Sequence, residues 1–232
     1  MIALRKSSSR GYAHHDWLES WHSFSFADYY DPANIRFGSL RVVNEDIVQP
    51  GTGFDTHGHR DMEILTYVLS GALQHKDSMG NSTQMRYGEV QLMSAGTGVQ
   101  HSEFNPSSVE PAHLLQIWIM PDRQGLTPRY QQKNFPVEEK QGRWCLLASP
   151  DAAQDSLLIH QNVQVFAARL NGTQTLDYPL AAGRKIYLHV ARGNLQANGH
   201  ALAAGDAVTY VNESMVALST AQDTEVLLFD MG

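Results

Sequence analysis

Cysteine is almost absent from this chain. Cys145 is the only one in 232 residues, which excludes an intrachain disulfide and any thiolate metal cluster, so a metal site would have to be built from imidazole and carboxylate. Long apolar runs are missing too. Nowhere do about 18 apolar residues stand together, so no membrane span is expected. A basic excess is also lacking: 17 Lys and Arg against 24 Asp and Glu give a net charge of −7, which speaks against direct binding of nucleic acid. No block of like charges forms an electrostatic tail. Arg5 and Lys6 are not followed by an apolar stretch, so no signal peptide is expected and the cytoplasm is the default compartment. Helical periodicity is nearly absent, with room for a turn only around Trp17–Phe26.

What the chain does have is enough apolar side chain for a core, 42% of residues, which excludes disorder. That material falls in short stretches: Ile64–Leu69, Val90–Met93, Leu114–Met120, Lys185–Val190, Ala207–Val211 and Val226–Phe229. Gly, Pro, Asn and Asp punctuate them. Short strands with frequent turns predict an all-β sandwich or barrel rather than βαβ units. One stretch also returns. Ile64-Leu-Thr-Tyr-Val-Leu-Ser-Gly71-Ala-Leu-Gln matches Ile186-Tyr-Leu-His-Val-Ala-Arg-Gly193-Asn-Leu-Gln, the two glycines standing 122 positions apart. Each is followed by a glycine–acid pair, Gly88-Glu89 and Gly205-Asp206. The pattern predicts two copies of one antiparallel β-barrel unit with a boundary in Asn134–Gly142. The expected domains are residues 1–135 and 143–232.

The chemistry gathers in the first copy. His57-Gly-His59 places two imidazoles at i and i+2, on one face of a strand. His101-Ser-Glu103 repeats that spacing with a histidine and a carboxylate. Two same-face pairs on separate strands can converge on one ion with three nitrogens and one carboxylate oxygen. Glu63, four positions after His59, is a second acid with a claim from spacing. Shifted by 122 positions, His57, His59 and Glu63 fall on Pro179, Ala181 and Lys185, none of which suits a metal. One metal per chain is therefore expected.

Gly51-x5-His57-x-His59-x3-Glu63 followed by Gly71 resembles the first cupin motif, and Gly98-x2-His101-x3-Asn105 the core of the second. The interval from Glu63 to Gly71 is one residue longer than usual, and Gly96 stands where cupins often have proline. A closer resemblance is to the pirins, a bicupin family. It is carried by Trp21-His-Ser-Phe24-Ser-Phe26, Tyr30-Asp31-Pro32, His57-x-His59, Ala95-Gly96-Thr97-Gly98 with His101-Ser-Glu103, and Gln116-Ile-Trp118. These motifs cover most of Gly11–Gln132; the C-terminal half matches by pattern alone. Within the pirins the chain is most similar to the bacterial quercetin 2,3-dioxygenase type.

That resemblance implies a fold of two antiparallel β-barrel (jelly-roll) cupin domains packed together, the second a degenerate cupin without ligands. It implies that His57, His59, His101 and Glu103 hold one divalent transition metal, iron first, with copper, manganese, nickel, cobalt or zinc as other candidates. Glu63 then becomes a structural acid near the ligands. It also implies a dioxygenase that cleaves a flavonol such as quercetin with O2 and releases CO, with Glu103 as the catalytic base. The alternative is a metal-binding regulatory protein acting through a protein partner, and cupins host other small-molecule reactions, isomerisation among them. His14 and His15 are expected at the surface, and His75, His160, His189 and His200 as pairing or solvated side chains. His113 is a candidate to line the cavity. Trp21, Phe24, Phe26 and Trp118 are expected in the core rather than stacked on a ligand, and Cys145 as an inert small hydrophobe.

Overall fold

A computed structural model describes all residues from Met1 to Gly232. The chain is nearly all β-strand; its one α-helix, Val137–Lys140, is a single turn, and no helix is long and apolar enough to cross a membrane. The backbone divides into two compact units. One comprises Gly11–Asn134 with Ile159–Gln161, the other Met1–Arg10, Phe135–Leu158 and Asn162–Gly232. The division departs from the expected boundaries at the amino end. Ile2–Arg5 pairs antiparallel with Ala207–Val211, Ile2 opposite Tyr210, so the first ten residues complete a sheet edge of the C-terminal unit. Nothing in Ile2-Ala-Leu-Arg5 says which edge it will find.

The N-terminal unit has a seven-stranded sheet in the order Arg129–Asn134, Glu89–Ser94, Glu63–Ser70, Ala112–Ile119, Leu40–Val48, Leu18–His22, Gly11–His15. A second sheet of four strands runs Gly53–His59, Val99–Phe104, Ala72–Asp77, Ser82–Arg86. Neither closes on itself, so the expected barrel is in fact a pair of open sheets. Glu63–Ser70 is central and buried along nearly its whole length, which is why it reads as an unbroken apolar run instead of an alternation. Leu18, Val48, Val68 and Leu114 of the large sheet meet Leu73 and Met85 of the small one in one apolar cluster. Ile64, Met93, Ala95 and Val99 form another.

The C-terminal unit has the same two sheets. Its large sheet runs Ile2–Arg5, Ala207–Val211, Lys185–Arg192, Thr224–Met231, Val163–Leu170, Cys145–Ser149, Leu157–Leu158, and its small one Gln174–Pro179, Met215–Thr220, Asn194–Ala197, His200–Ala203. The repeated segments, Glu63–Ser70 and Lys185–Arg192, occupy corresponding central positions. Their glycines do the same job. Gly71 and Gly193 both have positive φ, +73° and +75°, and a Cβ would lie 2.5 Å from the Pro111 carbonyl in one and 2.1 Å from the Asp223 carbonyl in the other. Only glycine fits a left-handed turn pressed that closely on backbone. The repeat is thus a repeat of structure.

Candidate metal centre

His57 and His59 lie on Gly53–His59, and His101 and Glu103 on its neighbour Val99–Phe104. His101 is directly opposite His57, but Glu103 pairs with Phe54, so the first strand carries an extra residue around Asp55–Thr56. A bulge of this kind re-aims side chains. It also turns the Asp55 carbonyl onto the His57 ring, 2.7 Å from Nδ1. A carbonyl only accepts, so Nδ1 of His57 carries the hydrogen and Nε2 is bare. That bare nitrogen faces Nε2 of His101 at 3.0 Å, and Nε2 of His59 lies 2.9 Å from the same atom.

Such convergence tests whether the donors suit a metal. Imidazole nitrogens at this distance repel unless a ring proton or a cation lies between them. Nitrogens at right angles on an ion with bonds of about 2.1 Å stand about 3.0 Å apart, so the spacing fits. His59 and His101 are also held neutral, the form that ligates. Burial, helped by the electrostatic influence of the His57 imidazole beside it, lowers the His59 pKa to about 4. Burial and the neighbouring His57, His59 and His75 lower that of His101 to about 3.

Glu103 is fully buried and belongs to an adjoining cluster with His101 and His75. Burial raises its pKa to about 7, against the hydrogen bond from Gln116 and with the charge of Asp46. Gln116 Nε2 donates to Oε2 at 2.8 Å. Thr66 donates to Gln116 Oε1 at 3.0 Å, which fixes the amide so that its NH2 group faces the carboxylate.

These groups border a cavity of about 340 Å3, within the range of small-molecule sites. Trp17, Leu18, Phe54 and Trp118 supply apolar wall beside His57, His59 and Glu103. Ser20, His22, Asn44 and Asp46 add polar groups to the lining. Ser20 donates to Asp46 and lies 2.8 Å from Nε2 of His22. Burial lifts Asp46 to about 7, with the Ser20 hydrogen bond opposing.

Several expectations change here. Phe26 and Trp118 line the cavity, and Trp118 stands edge-on to His59 with centroids 4.9 Å apart; the +2 alternation that buries Gln116 toward Glu103 also aims Trp118 inward. Phe24 is core as expected, and Trp21 packs on Tyr12 at 5.3 Å. His15 is exposed but reaches the cavity rim. His113 instead bonds Glu45 at 2.9 Å and does not line it. Glu63 is buried away from the donors, accepting from Ser94 at 2.9 Å and lying 3.4 Å from Nδ1 of His160. His75 is neither solvated nor a simple strand-pairing residue: it is fully buried, with Nε2 2.9 Å from Asp77 and Nδ1 3.4 Å from Nδ1 of His101. The i, i+2 pair His75-Lys-Asp77 was the available signal for it. Nothing in the apolar pattern marks Asp46, whose neighbours come from a distant strand.

Two open-sheet jelly rolls, one bearing a cluster of histidine and carboxylate at a cavity, define a bicupin. Residues 4–119 match the family described as Pirin, and residues 146–231 match the quercetinase C-terminal cupin domain. The chain is 49% identical over its full length, and over 99% of the relative, to a protein of Escherichia coli K12 named quercetin 2,3-dioxygenase. It is 45% identical to one of Pseudomonas aeruginosa named putative quercetin 2,3-dioxygenase, with both chains covered in full. Among solved structures, the bacterial pirin YhhW of Escherichia coli in complex with nickel(II) superposes with a TM-score of 0.95 at 48% identity, covering 100% of this chain and 99% of that one. The chain belongs to the pirin family.

Proposed function

We propose that this protein is a metal-dependent dioxygenase that opens flavonols such as quercetin with O2 and releases CO. The observation that carries this reading is the convergence of three imidazole Nε2 atoms beside a buried carboxylate at the wall of an apolar cavity. The names of the full-length relatives and the nickel complex of YhhW support it. His57, His59, His101 and Glu103 would hold one divalent transition metal, of which iron and nickel are the leading candidates. When bound, that ion supplies a Lewis acid that acidifies a coordinated hydroxyl.

The remaining work falls to the chain. Trp17, Leu18, Phe54 and Phe26 take the planar rings, since such pockets hold ligands mainly by apolar contact. Glu103 accepts the proton of the substrate 3-hydroxyl through the carboxylate oxygen that Gln116 leaves free. Burial pushes its carboxyl up to about 7 when no ion is bound, so the carboxylate is more basic than an exposed one, as suits a general base. The walls keep bulk water away from the resulting electron-rich anion while the two atoms of O2 bond to the carbons on either side of the one that carried the hydroxyl. Both ring bonds of that middle carbon break, it leaves with its own oxygen as CO, and the proton taken by Glu103 returns to the carboxylate of the product. The test is aerobic turnover after loading iron, nickel, copper, manganese or cobalt, following flavonol absorbance and CO in the headspace. Metal-dependent bleaching with matched CO supports the proposal. A protein that keeps its metal yet bleaches no flavonol with any of them would instead favour a regulatory role through a protein partner.

A further inference from the structure

Behind the three converging histidines lies a second line of contacts that points away from the cavity. Asp77 receives donors from every side. Its Oδ1 accepts the backbone N–H groups of Met79 and Asn81 at 2.9 and 3.0 Å. Its Oδ2 accepts the Asn81 amide at 2.8 Å and faces Nε2 of His75 at 2.9 Å. A carboxylate so placed is an acceptor only, so Nε2 of His75 carries the hydrogen and its Nδ1 is bare. The bare Nδ1 faces Nδ1 of His101 at 3.4 Å, the long end of hydrogen bonding. That contact is favourable only if Nδ1 of His101 is the donor, which leaves Nε2 of His101 as the lone pair directed at His57 and His59. The His75 ring is held in plane by a stack on Tyr130, with centroids 4.7 Å apart and 28° between planes.

We infer that Asp77 and His75 are positioning residues that fix His101 as its Nδ1–H tautomer, so that its Nε2 is always available as a metal ligand. His57 achieves the same end with a backbone carbonyl; His101 achieves it through a two-residue relay. The inference rests on the reading of His101 as a ligand, but its two halves can be tested apart.

Nitrogen-15 spectra of the histidine rings in the metal-free full-length protein report which ring nitrogen is protonated. His75 is expected as the Nε2–H form and His101 as the Nδ1–H form. In Asp77→Asn the amide oxygen can keep the turn at Met79 and Asn81 while the NH2 group faces His75. Both rings should then reverse. Nickel(II) affinity, measured by competition with a chromophoric chelator, should fall about 10- to 100-fold, the usual cost of losing an outer partner of a ligand histidine. Thermal unfolding of the metal-free variant should stay close to that of the wild type. His75→Phe keeps the stack on Tyr130, removes the nitrogen, and should weaken nickel(II) binding in the same range. His101 found as Nε2–H in the wild type, or unchanged nickel(II) affinity in both variants, overturns the inference. A wild type that takes up no nickel(II) overturns the metal reading itself, and the ring spectra still decide the relay.

Discussion

The two units share the order of their central strands and even a turn glycine, yet only one sets histidines and a carboxylate at the wall of a cavity. In the N-terminal unit the small sheet directs His57, His59, His101 and Glu103 toward the large one, and the apolar contacts are split into separate clusters with a cavity lined by members of both. In the C-terminal unit the corresponding strands, Gln174–Pro179 and Met215–Thr220, direct Leu176, Tyr178, Val216 and Leu218 inward, where they join one continuous core. The same scaffold position is therefore a site or a core according to a few side chains. Buried polar groups need partners and leave space for a ligand, whereas aliphatic ones fill it. A jelly roll provides the place and does not dictate the chemistry.

This contrast can be broken most severely at the donors. His57→Ala with His101→Ala should take the metal content from one per chain to about zero, because two of three nitrogens are lost; elemental analysis that still finds a full equivalent would place the metal elsewhere. Next in size, Glu103→Gln should lower turnover by about 100- to 10,000-fold with the fold intact, since an amide cannot accept the proton. Glu63→Gln, in a pocket with Ser94 and His160, should change turnover less than tenfold or so on the same scale. Metal loss in Glu63→Gln but not in Glu103→Gln would exchange the roles of the two acids.

The core of the other unit sharpens the comparison from its own side. Leu218→Ala should cost about 2–5 kcal/mol of stability, the usual range for a buried leucine, in urea unfolding followed by Trp144, while metal content stays at one per chain. A change in metal content would show that the site depends on the second core.

The smallest effect is on pH. His59 and His101 have folded pKa values of about 4 and about 3, below the ordinary histidine value. Protons therefore compete for these rings only well below pH 6.5, so metal should be retained at about pH 6 and released near pH 4. Asp46 and Glu103 act in the opposite direction. Their folded values of about 7 lie above the ordinary carboxylate range, so their contribution to metal-free stability is present at low pH and lost as pH rises from about 4 through about 7. In Asp46→Asn the fall in stability over that window should be shallower; an equal slope by urea unfolding at stepped pH would mean that Asp46 is not held protonated.

Much of this was legible in the sequence, for identifiable reasons. Same-face pairs at i and i+2 survive folding because the strand period is fixed, so His57 with His59 and His101 with Glu103 could be read directly. The repeat was legible because Gly71 and Gly193 answer the same steric demand. What escaped was set by register between strands far apart in the chain. His75 meets His101 because Ala72–Asp77 pairs with Val99–Phe104, and Asp46 faces the cavity because Leu40–Val48 lies beside Leu18–His22. Trp118 looked like core because its neighbours Ile117 and Ile119 are core, and an alternation hidden in an apolar run cannot show which side faces a cavity. Closure of the sheets into a barrel depends on edges that no local pattern describes.

The pairing of Ile2–Arg5 with Ala207–Val211 has a consequence for how the molecule is made. On the ribosome, Gly11–Asn134 can pair all its strands while the rest of the chain is still being synthesised, apart from the short Ile159–Gln161 insert. Ile2–Arg5, although translated before Gly11–Asn134, must wait for Ala207–Val211 before it has a strand to bond. Until then it is an unpaired β-edge tethered to a folded neighbour, the kind of segment that seeks other chains. Slow translation or a bulky amino-terminal fusion should accordingly injure the unit that carries no ligands, and leave the histidine cluster assembled.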